Sequence, residues 1–394
     1  MQLPMPKRLI LASACALAAL LAAVAPAGAV LPFHTGVYPS GPLDGITDVP
    51  GVRVANLTLV EGEGIRTGAT AVLPNADPWN VKVSAAALPF NGNGEMTGTA
   101  WVNTSGYLEV PVVLTNTLNV GRADDGVIDW MIEHYSQVGI SDDVPLPVVA
   151  ECDDQLLNMI QLRAVTPHDV QRMLDSAKGG QFDRGSVGAG TGMRAFGFKA
   201  GIGSASRVLP KELGGYTVGV LVNDNTGSSR EALTIAGVPV GERLKDEYRP
   251  VYPHHLAEAS LKGRMESGSI IIVIATDAPL DSRTLHAVAL RAGIGMGRTG
   301  LTSDVGSGDL FIAFSTGYTF DRTADFDVLP PKGQIIEDDA TLNALYRATA
   351  EATQSAIYDA LFEATTMTGR GGSTVYGLPV ARVMEMLRTA GAIK

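Results

Sequence analysis

Cysteine is almost missing from this chain. Only Cys15 and Cys152 occur, and Cys15 lies inside an apolar N-terminal leader. With Cys152 alone, a mature chain cannot form an internal disulfide. Without Cys and His neighbours at ligand spacing, Cys152 is no zinc signal either. Histidine is also scarce: the six are scattered, and none adjoins a candidate nucleophile in sequence. The zinc motif His-Glu-x-x-His is absent, as is the Gly-x-Ser-x-Gly nucleophile elbow. No metal and no organic cofactor is therefore expected. Positive charge is in deficit, with 30 Lys and Arg against 41 Asp and Glu, for a net charge of −11. A chain so acidic is a poor partner for nucleic acid. Past the leader no long charge-free apolar run occurs, so no membrane span is expected. One Gly-x-Gly-x-x-Gly match stands at Gly295, Gly297 and Gly300. It follows a helical pattern instead of a strand, which discounts it as a nucleotide site.

What is present begins with the leader. Lys7 and Arg8 precede a run rich in Leu and Ala that ends in Ala27-Gly28-Ala29. This is the layout of a signal peptide, residues 1–29, with cleavage after Ala29 and export to the periplasm or beyond. Lipidation at Cys15 is disfavoured, because Ala12 stands where a larger aliphatic is wanted and the preceding apolar run is too short. The remaining residues, 30–394, suit one large domain. At 45% hydrophobic and 18% charged, the chain can bury a substantial core. Alternating patterns predict strands over 52–59, 69–73, 81–88, 110–114, 146–150, 216–222, 269–275 and 309–314. Helices are expected over 124–138, 167–176, 283–292, 338–364 and 380–390. Loop composition marks 207–215, 236–265 and 321–334; the middle one reads as an exposed segment leading to a processing point.

The most informative stretch is ESGSIIIVIATDAPL, 266–280. Gly268-Ser269 opens five consecutive aliphatic residues, the pattern of a strand buried on both faces. A serine at such an entry has a fixed backbone, which suits a nucleophile. If the chain were cut before Ser269, that residue would carry both a hydroxyl and an α-amine able to act as base. The plain alternative is a serine that only caps the strand. Three further segments stand out, each with a plain alternative. The glycine-dense 185–207 reads as backbone wrapped closely around something. In LVNDNTG, 221–227, an Asn223 or Asn225 amide can donate to an oxyanion, or simply tolerate a left-handed turn. In GSGDLFIAFST, 306–316, Ser307 and Asp309 share a face at i and i+2, where they could deprotonate a nucleophile or only form a polar strand entry.

Taken together, these residues resemble the DmpA-type aminopeptidases, which include the L-aminopeptidase/D-esterases and the β-peptidyl aminopeptidases. The resemblance runs from about Gly45 to Leu387. It covers GITDVPGVRV, VGAGTGM with FGFKAGIGSASR, LVNDN, GSIIIVIATDAPL, GSGDLFIAFST and TMTGRGGSTVYGLP. It implies a four-layer αββα sandwich, a mixed α/β fold that cuts itself between Gly268 and Ser269. The products would be an α chain, 30–268, and a β chain, 269–394. Ser269 would be the nucleophile of a serine aminopeptidase acting on short peptides, amides or esters with a free N-terminal amine. By the same resemblance Asn225 forms the oxyanion hole and Ser307 is a second active-site serine contacting the nucleophile. Asp309 stands where relatives most often carry Glu. Glu151 matches the carboxylate that holds the substrate amine. Asp153 stands where some members place an aromatic, which leaves the second oxyanion donor open. Glu151, Asp153 and Asp154 would form an acidic cluster if all face the pocket, and ECDD leans toward the β-peptidyl branch. Relatives imply a homotetramer. The rival readings are an autoprocessing acyltransferase of similar fold, whose relatives use threonine at the cut, and a non-catalytic periplasmic peptide-binding protein.

Overall fold

A computed structural model describes residues 31–227, 229–253, 268–322 and 328–393. Two sheets stack face to face. The smaller holds β1 (Arg53–Glu61), β2 (Ile65–Leu73), β5 (Val112–Asn116) and β6 (Val148–Cys152), in the order β1-β2-β5-β6. The larger contains β3 (Val81–Gly92), β4 (Tyr107–Leu108), β9 (Ile202–Val208), β10 (Thr217–Asn225), β11 (Ser269–Thr276) and β12 (Gly308–Asp321). Its order is β4-β3-β12-β11-β10-β9. Among the described residues, two neighbouring strand pairs of these sheets run parallel, β5 with β6 and β11 with β12. The short strands β7 (Arg194–Ala195) and β8 (Phe198–Lys199) pair with each other beside β10.

Helices cover both outer faces, which gives the four αββα layers. Helices Val120–His134 and Pro167–Asp175 lie on the small sheet. The second starts with Thr166 as cap, Pro167 in the first turn and Asp169 closing a capping box, so its start is written in the sequence. Helices Ser282–Thr299 and Asp339–Phe362 lie on the large sheet, capped by Asp281 and Asp338. The Ala-rich face of the latter comes so near β9 that a Cβ on Gly203 would stand 2.0 Å from the Ala356 carbonyl oxygen.

Side-chain alternation along β11 divides the core in two. Ile271, Val273 and Ala275 join the layer between the sheets, with Val149, Ala150 and Leu114 of the facing sheet. Ile270, Ile272 and Ile274 join the helix-facing layer with Leu285, Val288 and Ile357. Being buried on both faces explains why this strand is aliphatic without a break.

One expectation becomes specific and one needs correction. The glycine-dense stretch 185–207 does wrap closely, around the protein's own sheets, and it carries β9. A Cβ on Gly188 would meet Thr70 Oγ1 at 2.2 Å, and one on Gly190 would meet the Ile202 nitrogen at 2.3 Å. The expected loop 236–265 contains a helical turn, Val240–Arg243, while its residues 254–265 lie outside the described residues. The Gly295 to Gly300 match lies on the Ser282–Thr299 helix and its left-handed cap, as expected for a motif discounted as a nucleotide site. The leader, 1–29, lies outside the described residues. No helix among the described residues is long and apolar enough to cross a membrane.

Candidate active site

Ser269 is the first residue of β11, and its side chain turns toward the layer between the sheets. Antiparallel β10 sets Asn225 directly opposite. Asn225 Nδ2 donates to Ser269 Oγ at 3.2 Å and to the Asp153 carbonyl at 3.0 Å. Its Oδ1 accepts the Arg194 backbone N–H at 3.2 Å. With the oxygen end occupied, the NH2 end is held toward the serine, the orientation an oxyanion donor needs. Asn225 ends a strand, so the left-handed turn alternative is overturned.

Across the gap stands Glu151, near the end of β6 and 5% exposed. Its Oε1 accepts the Glu95 backbone N–H at 3.1 Å, and its Oε2 accepts the Thr117 hydroxyl. Among the described residues no Lys or Arg pairs with it. Burial raises its carboxyl above the ordinary glutamate range. Ser269, Asn225, Glu151, Thr117 and Gly94 all border one cavity of about 320 Å³. A buried carboxylate without a countercharge is costly, and here the open volume lies beside it.

The acidic cluster does not assemble. Asp154 is buried away from the cavity, where Asn158 and Thr67 donate to its carboxylate. Asp153 borders the cavity, but Gln155 donates to its carboxylate through both backbone and side chain. Its contribution to the nucleophile is its carbonyl, which orients Asn225.

Ser307 and Asp309 do meet, with Ser307 Oγ donating to Asp309 Oδ1 at 2.6 Å, while Ser303 donates to the other carboxylate oxygen. They do so on the other side of the sheet from the serine hydroxyl. Register pairs Ser269 with Gly308 and Ile270 with Asp309, so Asp309 shares the helix-facing side with Ile270. No hydrogen bond joins Ser307 to Ser269 among the described residues, against the expected contact. Ser307 and Asp309 instead line a separate cavity of about 120 Å³ with Thr226, Ser303 and Met296. Gly268 borders both cavities. Its carbonyl accepts the Gly308 N–H at 3.2 Å. A Cβ there would fall 2.5 Å from the Thr226 carbonyl carbon, so position 268 is glycine for lack of room and not for backbone strain.

Sequence reasoning missed several contributors. Asp224 lies between the two asparagines and flanks Ile270 from β10 as Asp309 does from β12. It is fully buried; Oδ1 accepts the Thr226 N–H, Oδ2 has no hydrogen-bond partner among the described residues, and burial pushes its pKa to about 7. Its signal was a carboxylate inside an otherwise buried strand. Thr117 and the Arg194 and Glu95 backbone groups carried no sequence signal, because their roles depend on where loops return. Cys152 is wholly buried beside the site, and burial pushes its thiol well above the ordinary range.

Comparison with known proteins agrees with this geometry. The model for "Peptidase family S58" matches residues 44–375. A β-peptidyl aminopeptidase from Sphingosinicella microcystinivorans is 39% identical over 363 residues, covering 88% of each chain. The structure of an L-aminopeptidase D-Ala-esterase/amidase from Ochrobactrum anthropi is 38% identical, covers 92% of this chain and 98% of its own, and superposes with a TM-score of 0.81. It is described as a prototype for the serine aminopeptidases and a variant of the Ntn-hydrolase fold. The PH0078 protein from Pyrococcus horikoshii is 41% identical, covering 90% of this chain and 97% of its own, with a TM-score of 0.80. Fold and site thus define an aminopeptidase with an Ntn-hydrolase type of fold. The chain belongs to peptidase family S58.

Proposed function

We propose that this protein is an exported aminopeptidase that cuts itself between Gly268 and Ser269. In this reading it then removes N-terminal residues from short peptides, amides or esters, β-amino-acid peptides included. One observation carries the reading: a serine at the head of a buried strand, held by an oriented amide, shares a cavity with a buried carboxylate that has no countercharge among the described residues.

In the self-cut, Ser269 Oγ attacks the Gly268 carbonyl carbon. The Gly268–Ser269 C–N bond breaks, its nitrogen becomes the α-amine of Ser269, and an ester remains until water releases the Gly268 carboxylate. Loss of that peptide link opens the wall that Gly268 forms between the two cavities. Ser307 and Asp309 would then lie beside the new α-amine, which has an ordinary pKa of about 7.7–8.0. In the mature enzyme Ser269 Oγ attacks the carbonyl of a substrate's first residue, giving up its proton to the α-amine or to the Ser307–Asp309 pair. Asn225 Nδ2 donates to the oxyanion and Glu151 pairs with the substrate ammonium. The leaving amine takes the proton, and water hydrolyses the acyl-enzyme. The β-peptidyl relatives favour the β-amino-acid extension, and the leader supports export to the periplasm or beyond.

A denaturing gel of purified protein should show two bands, 30–268 and 269–394, the larger about twice the smaller. Sequencing should find new N-termini at Val30 and Ser269. Ser269→Ala should give one uncut band and no amide hydrolysis. An uncut wild type, or a mutant that still processes, would remove Ser269 from its role.

A further inference from the structure

Asp224 is a buried carboxylate with no part in the chemistry described so far. It lies on β10 opposite Ile270, one residue before Asn225, and is wholly buried. Its Oδ1 accepts the Thr226 N–H at 3.2 Å, which turns the carboxylate along the chain toward Thr226. Thr226 in turn packs on the residue before the cut, for a Cβ on Gly268 would lie 2.5 Å from the Thr226 carbonyl carbon. Asp224 Oδ2 and the Thr226 hydroxyl are both buried without a hydrogen-bond partner among the described residues. Thr226 also borders the cavity of about 120 Å³ behind Gly268. Among the described residues no Lys or Arg pairs with Asp224; the titratable groups around it are Asp309 on β12 and the Cys152 thiol on β6.

Backbone polarity fixes the side of β11 on which the scissile nitrogen lies. The Gly268 carbonyl points to β12, where it accepts the Gly308 N–H at 3.2 Å. In a planar trans peptide the carbonyl and the N–H point opposite ways. The Ser269 nitrogen therefore faces β10, the strand that carries Asp224, while Asp309 stands on the carbonyl's side.

We propose that Asp224 is the proton donor of the self-cut and then the partner of the amine that the cut creates. The inference rests on the self-cleavage reading above. As Ser269 Oγ bonds to the Gly268 carbonyl carbon and the C–N bond breaks, the hydroxyl proton passes to the nitrogen. The Asp224 carboxyl gives that nitrogen one further proton. The products are the ester, an ammonium on Ser269 and a carboxylate on Asp224, so a neutral acid and a neutral peptide become a buried ion pair. The donor has to hold its proton in the uncut chain. Burial, with Asp309 adding to it, raises Asp224 to about 7. After the cut, Oδ2 and the Thr226 hydroxyl gain the partner they lack before it.

The test follows the chain from Val30 onward, made in a labelled pulse of cell-free synthesis, as it converts to two bands on a denaturing gel. Asp224→Asn keeps the volume and an oxygen for the Thr226 N–H but has no acidic proton. Its half-time for conversion should be about 10²-fold longer than that of the wild type, or more, within the range a positioned acid contributes. The amine gives a readout that a purely structural aspartate would not move. With isotope-labelled serine, the α-amine of Ser269 resonates apart from the peptide nitrogens and can be titrated by NMR. In the cut wild type its pKa should lie above the ordinary value of about 7.7–8.0. In the variant, once cut, it should be lower than in the wild type by about 1–3. A Tm of uncut Asp224→Asn equal to that of uncut Ser269→Ala shows that the variant has folded; if it has not, the wild-type titration decides. A variant that cuts at the wild-type rate, or a wild-type amine with an ordinary or lowered pKa, overturns the role of Asp224 and leaves the self-cut standing. A wild type that stays uncut overturns the self-cleavage reading and this role with it.

Discussion

Replacing Glu151 with Gln tests the origin of exopeptidase selectivity. The buried carboxylate receives one backbone N–H from Glu95 and one hydroxyl from Thr117, both of which a glutamine oxygen can partly retain. It loses the negative charge facing a cavity where no Lys or Arg neutralises it among the described residues. A charge-assisted hydrogen bond contributes about 1.5–3 kcal/mol, so kcat/KM for free-amine substrates should fall roughly 10- to 150-fold. Activity on N-acetylated amides should stay low and unchanged, so the free-to-acetylated ratio collapses. Self-cleavage should persist, because the residue before the cut carries a peptide nitrogen and no ammonium. The pH profile gives a second readout. Burial raises the Glu151 pKa, so the anionic form is lost at a higher pH than for an exposed glutamate. Wild-type kcat/KM should therefore decline on the acid side earlier than an ordinary carboxylate predicts, and Glu151→Gln should lose that limb. A mutant with an unchanged ratio and unchanged acid limb would refute the assignment. One that fails to cleave itself would show Glu151 to be structural.

Three further outcomes are expected. Asn225→Ala removes the amide aimed at Ser269 Oγ and should lower kcat about 10²- to 10³-fold with little change in KM; an unchanged kcat under single-turnover conditions would exclude it from the oxyanion site. Asp309→Asn keeps the volume but accepts only one of the two serine hydroxyls, and should slow turnover by about 10²-fold or more; wild-type turnover would show that Ser307 and Asp309 serve only the fold. Burial pushes Asp154 to about 7, against 3.8 for the free side chain. Between about pH 4 and 7 its native form holds a proton that the unfolded chain has released, so its contribution to stability falls as pH rises through that window. Thermal unfolding of Asp154→Asn should show a weaker decline in Tm from pH 5 to pH 8 than wild type, and identical slopes would refute the assignment.

Much of this was legible because local chemistry and global fold agree. A short aliphatic run rich in β-branched residues reads as a strand covered on both sides, and β11 is that strand. Helix starts at Thr166, Asp281 and Asp338 follow from capping residues the sequence displays. β9 was not legible, since its Gly203 is dictated by the backbone of Ala356, more than a hundred residues away. The same holds for Gly268, whose missing side chain answers to Thr226, just past the end of β10.

The serine and carboxylate of 306–316 show where period-two reasoning stops. Alternation correctly puts Ser307 and Asp309 on one face, and they bond to each other. Alternation within one strand cannot say which face a residue on the next strand occupies; interstrand register decides that. Here the parallel register sets Gly308, not its neighbours, beside Ser269. A one-residue slip would have brought Ser307 or Asp309 onto the serine's own face. The observed register keeps the acid pair behind the peptide bond of Gly268 while that bond is intact. In the proposed reading the self-cut would therefore do more than free an amine: Gly268 borders both cavities, and a site that uses both the Ser269 hydroxyl and the Asp309 carboxylate would be complete only once the bond after Gly268 is broken.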